Sequence, residues 1–298
     1  LNLWEVTVNS TKIVVGTDAS PPSTEALRWA AHEARRRGAE LDVVLAYHWR
    51  LPGAALTASP DVIEQVKELT ATAVDTAVAQ ARDAEPDIRV SSRAVHGEPG
   101  PVLVQAGEEA GLLVVGNRGG GGFTSLLAGS VSVHVATHAP CPVAIVRGRA
   151  DNDTGPVIVG VDGSPSADHA LNIVFEEAAR RHTGVAVVRT YDAPLQPWTI
   201  GVAPLRYEHE IAAEQLRREL TTHVAVWRDK YPDVPVELVV ERGGPGAILT
   251  GMSWRAQLIV VGTRGHGAPT ELFPSSVGLQ LVHHAECPVL IARSNAMA

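Results

Sequence analysis

The sequence predicts an α/β protein made of two tandem domains, each a parallel β-sheet with helices on both faces. Three observations predict it. First, the chain repeats itself at a nearly constant spacing: Val15-Gly16-Thr17-Asp18-Ala19-Ser20-Pro21 returns as Val159-Gly160-Val161-Asp162-Gly163-Ser164-Pro165, Val114-Val115-Gly116-Asn117-Arg118-Gly119 as Val260-Val261-Gly262-Thr263-Arg264-Gly265, and Cys141-Pro142-Val143 as Cys287-Pro288-Val289. A repeat this long is a duplicated domain, not a solenoid unit. Second, apolar strand-like runs alternate with helical patterns, the signature of crossover units and a parallel sheet. Third, the strand-to-helix turns are rich in glycine, serine and proline, the residues that end a strand and cap a helix.

In the first half, Lys12–Asp18, Leu41–Trp49, Ile88–Val95, Leu112–Asn117 and Pro142–Arg147 read as strands. Ile13-Val14-Val15 and Leu112-Leu113-Val114-Val115 are continuous apolar runs, as central strands covered on both faces require. The strand Ile88–Val95 carries Arg89, Ser91, Ser92 and Arg93 and suits a sheet edge. Helical patterns fall over Pro21–Arg37, Pro60–Ala84, Pro99–Ala110 and Ser130–Thr137. The second half repeats the plan, with strands at Val157–Asp162, Val185–Tyr191, Val236–Glu241, Leu258–Gly262 and Val289–Arg293. The expected boundaries are domain 1 over 1–148, a polar linker over 149–155 and domain 2 over 156–294.

A chain of 298 residues with 45% hydrophobic and 19% charged residues has the composition of a soluble globular protein with two ordinary cores. Its net charge of -8, without a basic cluster, argues against nucleic acid as a partner. No apolar run is long enough to span a bilayer, and the opening residues lack the basic start and apolar core of a secretion signal. No membrane association and a cytoplasmic location are therefore expected. The 2 cysteines sit at matching positions and read as small buried side chains in a reducing compartment. Trp29, Trp49, Trp198, Trp227 and Trp254 read as core or rim packing.

The strand-to-helix segments converge on the carboxyl edge of such a sheet, where open α/β folds bind ligands. In the turn Gly16–Pro21, Ser20 is placed to cap the following helix and Pro21 to occupy its first position. That leaves Asp18 to accept from a ribose hydroxyl or to hold a metal-bound water, or else to accept hydrogen bonds from its own loop. The second segment is Gly116-x-x-Gly119, nine residues, then Gly129-Ser130-Val131. Its glycines permit close approach of backbone to a ligand, and helix amides starting near Ser130 would face bound phosphates. No Walker P-loop is present, and the lysines are Lys12, Lys67 and Lys230, so a phosphate site here relies on backbone amides. His134 and His138 are four apart on a helix, a zinc-compatible spacing with no completing ligand set, so no metal site is expected. No nucleophile elbow, Ser-His-Asp order or pair of acids marks a catalytic centre.

The Gly-x-x-Gly, nine residues, Gly-Ser pattern, the opening Gly-x-Asp-x-Ser turn and the Cys-Pro-Val endings resemble the universal stress protein family, over nearly the whole chain. The resemblance implies Rossmann-like domains, each a five-stranded parallel sheet in the order 3-2-1-4-5, with ATP across the carboxyl edge and Mg²⁺ or Mn²⁺ carried in by the nucleotide. It assigns Gly16, Thr17 and Asp18 to the nucleotide, Ala46 to the adenine, Val115 and Gly116 to the ribose, and Gly119, Gly129, Ser130 and Val131 to the phosphates. In the second copy the corresponding set is Gly160, Val161, Asp162, Thr190, Val261, Gly262, Gly265, Ser276 and Val277. There the motif departs: Pro274-Ser275 stands where the first copy has Ala128-Gly129. The glycine position is read as needing positive φ, where a serine such as Ser275 is strained by roughly 1–2 kcal/mol, and Pro274 supplies no amide, so the second site is expected to bind weakly or through a shifted loop. The resemblance implies a regulator of stress physiology that is not an enzyme, acts as a homodimer and signals to an unidentified protein partner. An ATP-hydrolysing or nucleotidyl-transfer enzyme, and a dimeric scaffold with a decayed second site, are the alternatives.

Overall fold

A computed structural model of the chain describes residues 12–48, 60–119, 128–191, 204–263 and 276–293. The chain forms two compact units that divide between Ala150 and Asp151. Trp49, Trp198, Arg264, Gly265, Pro274 and Ser275 lie outside the described residues.

Unit 1 runs β1 (Lys12–Thr17), α1 (Pro21–Arg37), β2 (Glu40–Tyr47), α2 (Pro60–Ala84), β3 (Val90–His96), α3 (Pro99–Ala106), β4 (Leu112–Gly116), α4 (Ser130–His138) and β5 (Val143–Val146). All its strand pairs are parallel. β1 lies between β2 and β4, with Ile13 opposite both Leu41 and Leu112. β3 adds outside β2 with Leu41 opposite Val90, and β5 outside β4 with Leu113 opposite Val143. The order is 3-2-1-4-5, and every strand presents its carboxyl end to the same edge. The apolar runs of β1 and β4 are buried on both faces: Ile13, Val14, Val15 and Leu112 to Val115 form the centre of the core. β3 pairs only with β2 among the described strands and is the half-exposed edge that its charges indicated.

Unit 2 repeats this as β6 (Val157–Val161), α5 (Pro165–Arg180), β7 (Val185–Tyr191), α6 (Pro204–Lys230), β8 (Val236–Arg242), α7 (Pro245–Met252), β9 (Leu258–Gly262), α8 (Ser276–His284) and β10 (Val289–Ala292). β6 again sits between the second and fourth strands, with Val157 opposite both Val185 and Leu258.

Local chemistry starts and stops the helices as the sequence suggests. Ser20 caps α1, its hydroxyl accepting from the Ser23 amide at 3.4 Å, and Ser164 caps α5 by accepting from Ala167 at 3.3 Å. The patterns over Pro99–Ala110 and Leu41–Trp49 are shorter in the structure. α3 gives way at Gly107–Glu109 to a 3₁₀ turn, and β2 ends at Tyr47. Cys141 and Cys287 are buried and in no disulfide. Burial pushes the Cys141 thiol up to about 12, so it stays protonated and unreactive at neutral pH. Trp29 is a core residue, but Trp254, in the 3₁₀ turn after α7, is 60% exposed and does not pack as expected.

Two features carry stability tests. The Glu85 carboxylate, nearly buried, closes α1 onto the end of α2 by accepting from His32 Nδ1 at 2.6 Å and Arg35 Nη1 at 2.8 Å. Burial alone would raise its pKa; the hydrogen bonds from His32 and Arg35 outweigh this and leave it below the ordinary value of 4.5. A depressed carboxyl stabilises the fold above its unfolded pKa and loses that contribution as pH falls through the folded one. Glu85→Gln is expected to cost about 1 kcal/mol at neutral pH, given the exposed partners. In urea melts the gap from wild type should close below the carboxylate range. At the end of α5, His182 holds φ +51°, where unit 1 has Gly38 at φ +61°. A side chain in the left-handed region costs roughly 1–2 kcal/mol. His182→Gly is expected to recover about 0.5–1 kcal/mol, read as a rise of a few degrees in Tm.

Candidate functional site

The carboxyl ends of β1, β2 and β4 and the starts of α3 and α4 enclose a pocket of about 320 Å³ in unit 1. Gly16, Thr17, Asp18, Ala46, Val115, Gly116, Gly119, Gly129, Ser130 and Val131, all named from the sequence, line it. Ser23, Val44, Pro99, Leu103, Arg118 and Ser132 complete the wall.

The β1–α1 turn is fixed by its hydroxyls. Ser23 Oγ donates to the Ser20 carbonyl at 2.9 Å and lies 3.3 Å from Thr17 Oγ1, which accepts from the Ala19 amide at 3.2 Å. This network holds Ala19 at φ +61°. Asp18 Oδ1 accepts from the Ser20 amide at 3.0 Å and from the Ser20 hydroxyl at 2.5 Å. The carboxylate is therefore bound into its own loop on one side, the second of the two roles open to it, while still reaching the pocket. Gly119 packs against its other oxygen: a Cβ there would fall 2.5 Å from Asp18 Oδ2. Gly116 packs on the first turn of α1, where a Cβ would stand 2.7 Å from the Pro22 carbonyl.

The far wall is the start of α4. Gly129 is its N-cap and offers no side chain to the first amides. The first backbone bond into the helix runs from Val133 to the Gly129 carbonyl at 3.1 Å, so the amides of Ser130, Val131 and Ser132 precede the helix ladder. The helix dipole adds partial positive charge at the same place. Gly129 itself has φ −77°, ordinary extended backbone. The requirement for glycine is thus not positive φ, and the strain expected for Ser275 on that ground falls away. The reason is crowding: the Gly129 amide donates to the Asn117 carbonyl at 2.8 Å, and a Cβ would meet Arg118 Cα at 3.3 Å and Asn117 O at 3.4 Å. Asn117, just after β4, and Gly129, just before α4, are thereby held in direct contact.

The pocket has two chemical ends. Val44, Ala46, Pro99 and Leu103 make one apolar; the α4 amides and Arg118 make the other electropositive. Beyond the apolar end stand Tyr47, His48 and His96, with Tyr47 and His96 edge to face at 5.5 Å and His48 Nε2 3.5 Å from Glu98. They rim the sheet without lining the pocket. His134 and His138 stack at 4.4 Å, with His134 against Gly100 of α3, where burial first and His138 second hold its pKa below the usual value. Among the described residues no three His, Cys, Asp or Glu side chains are grouped to hold a metal ion. No described helix is long and apolar enough to cross a membrane.

In unit 2, Gly160, Val161, Asp162, Thr190, Val261 and Gly262 occupy the same carboxyl-edge positions, with Ser276 and Val277 opening α8. Gly265 lies outside the described residues. Asp162 Oδ1 accepts from the Ser164 amide at 3.0 Å, as Asp18 does from Ser20. The fixings differ. Val161 and Ala167 replace the hydroxyls of Thr17 and Ser23, and Arg189 stands where unit 1 has Leu45, its Nη1 3.1 Å from a Cβ built on Gly163. Ser132 was missed from sequence because its decisive partner, the Asn117 carbonyl, is distant along the chain; Ser23 bonds only within its own turn and looks, like Pro99 and Leu103, an ordinary residue of a helix start.

The model of the universal stress protein family matches residues 9–147 and again 154–293. A universal stress protein of Mycobacterium tuberculosis is 34% identical over 304 residues, covering 96% of this chain and 98% of its own. A second from that species is 32% identical over 294 residues, covering 95% and 97%. The crystal structure of a universal stress protein from Archaeoglobus fulgidus superposes with a TM-score of 0.67 at 18% identity, covering 96% of this chain and 99% of that one, a likeness of fold.

Proposed function

The chain belongs to the universal stress protein family, and from that premise we propose that it is an ATP-binding regulator of stress physiology, acting in the cytoplasm through nucleotide occupancy of unit 1. The observation that carries this reading is the start of α4. Three amides ahead of the helix ladder stand at one end of a pocket whose other end is apolar. A nucleotide matches that polarity, with a flat base against Val44, Ala46, Pro99 and Leu103 and phosphates at Ser130 and Val131. The ribose falls between them, near Asp18, Val115 and Gly116.

A divalent ion fits only as a companion of the nucleotide. Asp18 is the one carboxylate among the lining residues, and a hard cation needs several oxygen ligands, which the phosphates supply. The same count favours binding over turnover. The described lining residues include no histidine, and one oxygen of Asp18 already accepts two hydrogen bonds within its turn, so none of them stands ready to activate water. Hydrolysis is accordingly slow or absent. Unit 2 binds the nucleotide more weakly, because its turn has Val161 and Ala167 where unit 1 has the hydroxyls of Thr17 and Ser23. The readout of occupancy is a surface read by another protein or by a second copy of the chain.

Protein purified without added nucleotide is expected to release ATP on denaturation, identified by mass spectrometry, and the stripped protein to show one tight ATP site by calorimetry. Two equal tight sites would contradict the assignment to unit 1, and no binding at all would remove the reading. Gly129→Val crowds Arg118 and the Asn117 carbonyl and is expected to weaken ATP at least tenfold, about 1.4 kcal/mol, while the circular dichroism spectrum stays that of the folded protein. Retention of full affinity by this variant would overturn the phosphate placement.

A further inference from the structure

The hydroxyl of Ser132 does something that the binding pattern alone does not ask of it. The residue is the third of α4, is 2% exposed and lines the pocket. Its Oγ donates to the Gly129 carbonyl at 2.8 Å and to the Asn117 carbonyl at 3.1 Å, sharing one proton between them. The first bond is the ordinary habit of a helical serine toward the preceding turn. The second is a tertiary contact across the whole glycine loop. It falls on the same carbonyl that already accepts from the Gly129 amide at 2.8 Å. Asn117 is itself anchored, its amide donating to the Val146 carbonyl of β5 at 3.0 Å.

The consequence is a rigid bracket. β5 holds Asn117, Asn117 holds Gly129 and Ser132, and Ser132 holds Gly129 from the other side. The amides of Ser130 and Val131 lie inside that bracket, so their direction is set by it. With its proton committed to two carbonyls, the Ser132 oxygen turns only lone pairs to an anion and is no phosphate donor in this state. In unit 2 the third residue of α8 is Gly278, which has no hydroxyl to make such a link.

We propose that Ser132 is a positioning residue that makes unit 1 selective for nucleotides carrying a phosphate chain, by tying Asn117, just after β4, to the first turn of α4 and so aiming the amides of Ser130 and Val131. The proposal rests on the ATP reading of the same pocket and adds to it the residue that sets phosphate discrimination. The apolar end of the pocket lies outside the bracket, so contacts to the base do not depend on it. Loss of the hydroxyl therefore separates the two halves of the ligand.

The test is calorimetric titration of wild type, Ser132→Ala and Ser132→Thr with adenosine, AMP and ATP. Ser132→Ala is expected to weaken ATP about tenfold, the scale of one or two neutral hydrogen bonds, and to leave adenosine unchanged, with AMP between. Ser132→Thr, which keeps the hydroxyl, is expected to restore the ATP preference. Hydrogen exchange on ligand-free Ser132→Ala should show faster exchange at Ser130 and Val131 with the β1–α1 turn unaltered, a readout that does not depend on ligand. Equal weakening of adenosine and ATP would reduce Ser132 to a general packing role and overturn the proposal, as would unchanged ATP affinity or unchanged exchange. A wild-type protein that binds none of the three ligands would instead overturn the nucleotide reading, and this inference with it.

Discussion

The carbonyl of Asn117 is the point on which unit 1's site turns. One oxygen at the end of β4 accepts both the Gly129 amide and the Ser132 hydroxyl. It thereby decides where the loop closes, where α4 begins and which way the first amides of that helix face. The approach is close enough that only a residue without a side chain passes it freely. Glycine is favoured there because a Cβ would press a few tenths of an ångström into Arg118 and the Asn117 carbonyl, a contact invisible until both segments are seen together.

The duplication shows which parts of this arrangement belong to the framework. Both units keep the strand order, the serine caps of the first helix, the aspartate bound to that serine's amide, and glycines at the ends of the first and fourth strands. Both also keep a buried glutamate at the end of the first helix, Glu33 with Arg36 and Arg37, and Glu177 with Arg180 and Arg181. The side-chain fixings around the pocket are not kept. Thr17, Ser23 and Ser132 give way to Val161, Ala167 and Gly278, and Arg189 brings a cation to a turn where unit 1 has leucine. The two units share a scaffold and differ in how tightly the scaffold holds its edge.

Much of this was legible in the sequence, for a definite reason. Continuous apolar runs such as Leu112–Val115 admit only a buried central strand, and Ser20-Pro21 admits little but a helix start. Gly16 to Asp18 and Gly116 to Gly119 were found because they close strands of a parallel sheet, whose carboxyl ends must share an edge; Ala46 and Val115 came from the family resemblance. What sequence reasoning missed depends on contacts through space. Ser132 looks like one more polar residue in the first turn of a helix. Asp18 looks available until its bonds to Ser20 are counted. Gly129 lines the pocket as its spacing indicated, but the positive φ read for that position does not hold, since its φ is ordinary. Trp254 shows the limit from the other side: a large apolar residue does not announce from sequence alone that it faces solvent.

The register of the sheet has a kinetic consequence. β1 pairs with β4, Ile13 against Leu112, so the innermost strands of the unit come from opposite ends of its sequence. Such long-range pairing makes folding slow and places loop closure before reward. The pocket straddles that seam, taking Gly16 and Thr17 from one side and Val115 and Gly116 from the other. It cannot exist in a half-wound chain. Any small molecule seated there draws its binding free energy only from the finished unit, and so stabilises completion of the fold.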